Sequence, residues 1–266
     1  ALRVHPRAIV WIPSGASIRG SDASDVGFAL ALCLLSSPGG SLERICRDDL
    51  FIEEMPARAI WTSAYGIDAR EVTHAAYQRC VQASVCTPPR VASPDARLAL
   101  PDHPVSGVTA LEAETYCSFV GGRLPTEAEW ERAARGDSRP PHRFPWGRAY
   151  SERLANHGQI GERPDGIDGY RYAAPVGSFP DGASPFGVLD MAGNVWEWTA
   201  DRFERGGYAT GPSVDPRGAD SSNGRVVRGG SWRSSPITLR VSHRVPVPET
   251  LSAPDLGFRC AHDARR

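Results

Sequence analysis

The chain has 266 residues, a formal charge of −1 and 41% hydrophobic residues, enough to bury a sizeable core as one large domain. Near-neutral charge without an arginine run argues against nucleic acid or an anionic membrane surface as partner. All 30 basic residues are arginine, which removes Schiff-base chemistry and the phosphate-loop lysine together.

Ala8–Ile12 is an apolar, β-prone run closed by Pro13-Ser14-Gly15, and reads as an opening strand and turn. Residues 20–50, rich in Ser, Gly and Asp, look like an insertion. Within it Val26–Leu35 has the length of a signal-peptide core but follows Asp22 and Asp25 and lacks a basic flank, so it is expected to be a short buried helix. No run of about eighteen apolar residues is present, and no membrane span is expected. Ile60–Ile67 alternates and predicts a second strand. Thr73 caps a helix over His74–Val81, and residues 87–105 carry several prolines and predict a surface loop. Thr109-Ala-Leu-Glu112 and Thr126-Glu-Ala-Glu129 are capping boxes that start helices near 110–120 and 127–135. Gly121-Gly122 and Gly136 end them. Glu127, Glu129 and Glu131 are read as acids favoured by the helix dipole rather than as catalysts.

Beyond Gly136 regular structure should be sparse, with a turn at Phe144–Gly147 and a loop over Asn156–Tyr170. Asn156, Asp165 and Asp168 could close an oxygen-ligand site or simply face solvent. The stretch Gly187–Asp201, GVLDMAGNVWEWTAD, sets Trp196 and Trp198 beside Asp190, Asn194 and Glu197. Its carboxylates and the Gly193 and Val195 carbonyls suit a hard cation such as calcium, and an aromatic-anchored turn explains the same residues. Arg225–Trp232 predicts a buried strand entering a glycine turn, and Leu256–Ala261 a final strand.

The six cysteines lack paired zinc spacing. Cys80 and Cys86 flank a short loop and Cys33 and Cys46 bracket a Gly/Ser/Pro segment, which leaves Cys117 and Cys260 for a long bridge. Six cysteines allow fifteen connectivities, and six reduced, buried thiols are the alternative. Disulfides would imply an oxidising, extracytoplasmic compartment, periplasmic or secreted, with any signal already removed.

The motifs GGRLPTEAEWERAARG, FPWG, APVGSFP, GVLDMAGNVWEWTAD, RVVRGGSW and LGFRCA, in this order from about Ala8 to Ala261, closely resemble the formylglycine-generating enzyme, or sulfatase-modifying factor, family. The resemblance implies an α+β, C-type-lectin-like fold spanning 1–266 as a single domain with a probable insertion at 20–50. It implies about two calcium ions, one held by the Asn156 side chain, the His157 carbonyl, Asp168 and the Tyr170 carbonyl. The other would use Asp190, the Gly193 and Val195 carbonyls and Glu197. Family pattern also supports the Cys117–Cys260 bridge.

The family's copper(I) is held by two cysteines just after the Gly-Gly-Ser turn, and soft copper(I) needs thiolates. Here that stretch is Gly229–Pro236 with Ser234 near the first cysteine position, so neither copper nor a histidine-held iron is expected. The chain looks like an atypical member, similar to the pyoverdine-maturation type, acting on a peptide, protein or peptide-derived metabolite. The groove candidates are Ser231, Trp232, Arg233, Ser234, His243 and Arg244. A deep pocket with perturbed groups, for which His243 and Asp255 are the residues to inspect, would mark an enzyme. An exposed groove offering Trp232, Arg233 and Arg240 would mark a non-catalytic protein- or glycan-binding module. Copper-dependent formylglycine formation is the least favoured activity.

Overall fold

A computed structural model describes residues 8–36, 46–90, 99–159, 164–220, 222 and 224–264. The middle of the 20–50 segment and part of the 87–105 loop fall outside them. The chain forms strands β1 (Ile9–Ile12), β2 (Gly15–Arg19), β3 (Arg58–Thr62) and β4 (Tyr65–Asp68), with helix α1 (Ala23–Leu35) between β2 and β3. Helices α2 (His74–Gln82), α3 (Ala110–Phe119) and α4 (Glu127–Arg135) follow. The last third holds β5 (Trp196–Arg202), the short α5 (Gly207–Thr210), β6 (Arg225–Arg228), β7 (Val245–Val247), β8 (Leu256–Gly257) and β9 (Ala261–Asp263).

The three long-signal helices start where their caps place them. Thr109 and Thr126 each accept from the backbone N–H three residues on, while Glu112 and Glu129 accept from the threonine N–H, closing both capping boxes. α1 uses the same device through Asp22 and Asp25, and at the end of α4 Gly136 takes φ 71°.

Three sheets run in the orders β1-β4-β9, β2-β3 and β7-β6-β5-β8. The single strand expected over Ile60–Ile67 is two, because the chain changes sheets at Ser63-Ala64. β3 pairs with β2 and β4 pairs with β1 and β9, while Ser63 is fixed outside both ladders by the Asp215 carboxylate. Leu256–Ala261 is likewise split: β8 lies parallel to β5, and β9 crosses to β4. The second half of Gly187–Asp201 is no turn but β5, inside the four-stranded sheet.

β5 organises the core through its two-residue period. Trp198 points into a cluster with Tyr77, Tyr116 and Phe258, its Nε1 donating to the Val108 carbonyl. Glu197 and Asp201 point the other way, to Trp130 Nε1 and to the Glu127 N–H of α4. Cys117–Cys260 ties α3 to the segment before β9, and Cys33–Cys46 and Cys80–Cys86 complete three disulfides.

Glu127 lies in the first turn of α4 as expected, but the role of Glu127 and Glu131 goes beyond the helix dipole. One turn apart, they share a face of α4 and are fully buried among arginines. Glu127 accepts a fork from Arg244 at 2.7 and 2.8 Å and a bond from Arg19 at 2.7 Å. Glu131 takes Arg228 at 2.6 Å and Arg135 at 2.9 Å. Planar, permanently charged guanidinium groups suit such dry forks where an ammonium would not, so the all-arginine composition has a structural counterpart here.

Candidate functional site

β6 ends in Gly229 and Gly230, both at positive φ. A Cβ on Gly230 would sit 2.9 Å from Leu239 Cδ2, so this turn needs a residue without one. The turn buries Ser231, whose hydroxyl donates to Asp255 at 2.8 Å and lies 3.1 Å from the Ser234 hydroxyl. Arg233 closes a fork on the same carboxylate at 2.7 and 2.9 Å. Arg233, Asp255 and His243 line a cavity of about 260 Å³ with apolar walls that include Trp196, Val245 and Leu251.

His243 is anchored from behind. Its Nδ1 lies 2.9 Å from Glu54, a buried carboxylate that also accepts both Arg240 amino groups at 2.7 Å and the Ser242 hydroxyl at 2.9 Å. Burial pulls the Glu54 carboxyl upward, but Arg240 and His243 outweigh it and hold it well below the usual carboxylate range. Burial lowers the His243 imidazole, against the pull of Glu54. Glu54 closes the short helical turn Asp48–Glu54, just past residues 20–50. Nothing in its local sequence marks it, because Arg240, Ser242 and His243 lie 186 to 189 residues away and Ser21 lies 33 away.

The other expected site residues separate. Ser231 and Ser234 are buried, Ser231 meeting Asp255 and Ser234 meeting the Ser231 hydroxyl rather than solvent. Arg244 turns from the cavity to Glu127 and stacks over Phe203 and Tyr208. Trp232 packs edge-on against Tyr172, and Arg240 is sealed onto Glu54. Trp232 and Arg240 are therefore not exposed anchors. Only Arg233 of that trio keeps substantial exposure, 37% of its side chain.

The two residue sets expected for calcium differ in fit. At the first, Asn156 donates its amide to the Tyr172 carbonyl, leaving Oδ1 buried without a partner. Asp168 accepts the N–H groups of His157 and Tyr170, and burial raises its carboxyl against those bonds. An orphaned buried oxygen, with a partly desolvated carboxylate bonded to the next residue's N–H, offers donors of the kind a hard cation takes. Gly193 locks this loop to the second set, since a Cβ there would sit 2.0 Å from the Asn156 carbonyl.

At the second set Glu197 is already neutralised. Arg259 forks onto it at 2.7 Å twice, and Trp130 Nε1 adds a bond at 2.8 Å. The unsatisfied oxygens belong instead to Glu71, buried beside Asp190 with neither oxygen partnered. Burial, then the Asp190 charge, pushes the Glu71 carboxyl well up. Sequence reasoning missed Glu71 because it stands alone, in the link between β4 and α2. Among the described residues no three His, Cys, Asp or Glu side chains converge as a ligand set, so a cation at the first set leans on amide and carbonyl oxygens.

A lectin-like sheet core with a Gly-Gly-Ser turn beside a walled cavity defines a class that comparison with known proteins makes specific. Residues 6–264 match the sulfatase-modifying factor enzyme 1-like domain, and the chain belongs to that family. It is 40% identical over 175 residues to the formylglycine-generating enzyme of Thermomonospora curvata, covering 61% of this chain and 56% of that protein. It is 43% identical over 157 residues to the hercynine oxygenase of Mycolicibacterium smegmatis, covering 54% of this chain and 33% of that protein. The chain thus spans from a third to just over half of these relatives. The structure of PvdO from Pseudomonas aeruginosa shares the fold, with a TM-score of 0.73 over 96% of this chain and 94% of that one at 24% identity.

Proposed function

We propose that this chain is a copper-independent member of its family that carries out oxidative or maturation chemistry on a peptide-derived substrate seated in the 260 Å³ cavity. The observation that carries the reading is the fate of sulfur at a site whose cavity persists. All six cysteines are in disulfides, so no thiolate is left for copper(I), while His243, Arg233 and Asp255 still converge on an apolar-walled cavity. A formylglycine-generating enzyme and a hercynine oxygenase among the relatives support oxidation as the reaction class. Burial of Trp232 and Arg240 weighs against the binding-module alternative. The three disulfides support an extracytoplasmic location. The Asn156–Asp168 donor set supports a stabilising calcium ion.

The test is a two-part assay on purified protein. A cysteine-containing peptide incubated with the protein, copper(I) and dioxygen is expected to be recovered unchanged by mass spectrometry, beyond the copper-only background. N-acyl aromatic amino-acid amides are expected to bind, and Leu251→Trp, which fills the cavity rim, to abolish that binding. Enzymatic conversion of the peptide cysteine, or binding indifferent to Leu251→Trp, would overturn the proposal.

A further inference from the structure

The polar groups of the cavity are unequal. Arg233 and Asp255 neutralise each other across a fork, and Thr238 spends its hydroxyl hydrogen on the Ser235 carbonyl. His243 differs because its bonded nitrogen is held by Glu54, which is not among the residues that line the cavity. An ionised carboxylate has no hydrogen to give, so the 2.9 Å contact to Glu54 requires the hydrogen on Nδ1. Nε2 then carries the lone pair, and it meets no protein partner among the described residues. The side chain keeps 14% of its surface open and lines the cavity, its ring 6.0 Å from that of Trp196.

Resting on the cavity reading above, we infer that His243 Nε2 is the proton acceptor for a flat, apolar, protic group of the phenol class, with Glu54 as the residue that positions it. A volume of about 260 Å³ is at the small end of ligand pockets and admits one aromatic side-chain-sized group rather than a folded segment. The walls of Trp196, Val227, Val245 and Leu251 suit a ring. In the step, the substrate O–H bond breaks, the proton passes to Nε2 and the electron pair stays on the oxygen. Glu54 faces the resulting imidazolium through Nδ1–H and balances its charge. Arg240 and Arg228 on the buried side hold the imidazole neutral beforehand, together with burial. Across the cavity stand only the paired Arg233 and Asp255. The helical turn Asp48–Glu54 thereby acquires a role, since it delivers Glu54.

The experiment uses 4-nitrophenol, whose ionisation is visible. Wild-type protein is expected to bind it and to raise its phenolate absorbance above that of the free probe at the same pH. His243→Asn is expected to bind with similar affinity without that increase. Imidazole nitrogen chemical shifts of the wild type, which need no variant to fold, are expected to show the Nδ1–H tautomer at neutral pH. In Glu54→Gln, if it folds, that tautomer preference is expected to be lost. Equal ionisation by His243→Asn, or an Nε2–H tautomer in the wild type, would overturn the proton-acceptor role and leave the cavity reading standing. No binding of the probe by wild-type protein would overturn both.

Discussion

Replacing Glu54 by Gln removes one charge from a sealed cluster and leaves Arg240 buried without its counterion. Breaking a buried ion pair from one side costs roughly 3–5 kcal/mol, and here the lost acceptor served two guanidinium bonds of 2.7 Å as well as Ser242 and His243. With about 2.1 cal/mol/K of unfolding entropy per residue, 266 residues give ~0.56 kcal/mol/K. The loss then reads as a Tm drop of about 5–9 °C in a calorimetric scan. The sign of the pH dependence follows from the depressed carboxyl. Its stabilisation is complete above the ordinary glutamate value of 4.5 and fades as pH falls toward the folded value, because the unfolded chain takes up the proton first. The gap between wild type and Glu54→Gln should therefore be flat above about pH 5 and narrow in acid. His243, lowered from 6.5 by burial against the pull of Glu54, adds a second loss beginning near that value that is larger in Glu54→Gln, so the gap is read on a His243→Asn background. A Tm drop below about 2 °C, or a gap that widens in acid, would refute the claim that Glu54 is a dry, ionised hub.

Four further outcomes are expected. Removing Cys117–Cys260, whose ends are 143 residues apart, should cost ~5 kcal/mol in a denaturant melt by loop entropy, against ~2 kcal/mol for Cys80–Cys86 at a separation of 6; similar costs would show that loop entropy does not set them. Asp168→Asn should cost roughly 2.7 kcal/mol more stability in calcium than in chelator, the contribution of a hundredfold excess of ligand over Kd, beyond the calcium-independent loss of an acceptor for the His157 or Tyr170 N–H. Glu197→Gln should lower stability by ~3 kcal/mol with or without chelator, because it strands Arg259; a loss confined to calcium buffer would make Glu197 a ligand after all. Thiol titration of protein unfolded without reductant should find no free thiol, and a reactive pair would reopen the copper chemistry.

Local grammar carried what was legible in the sequence. Capping boxes at Thr109 and Thr126, the Thr73 cap and Gly136 placed three helices, because each satisfies its own terminal amides within four residues. Long motifs carried family and fold, and they placed the Gly229-Gly230-Ser231 turn and brought His243 and Asp255 under inspection. Strand boundaries failed at Ser63-Ala64 and between Leu256 and Ala261, where the alternation continues while the partner sheet changes. Period alone cannot report which neighbour a strand pairs with.

Charge placement was the least legible part. Glu127 and Glu131 satisfy a helix-start pattern whether they face solvent or four arginines, and their spacing around Trp130 was the one available hint of burial. Glu54 and Arg259 gave none, since the charged partners they meet sit 62 to 189 residues away, and Glu71 gave none because it stands alone in the link before α2. The sequence by itself determined the helices, the family and the absence of copper-type cysteines after the glycine turn. Only the tertiary structure decided that Arg244 serves the core, that Arg259 takes Glu197, and that the turn ending at Glu54 fixes the histidine of the cavity. Propensities act over a few residues, whereas a buried charge is settled by whichever counterion the folded chain brings within hydrogen-bonding distance.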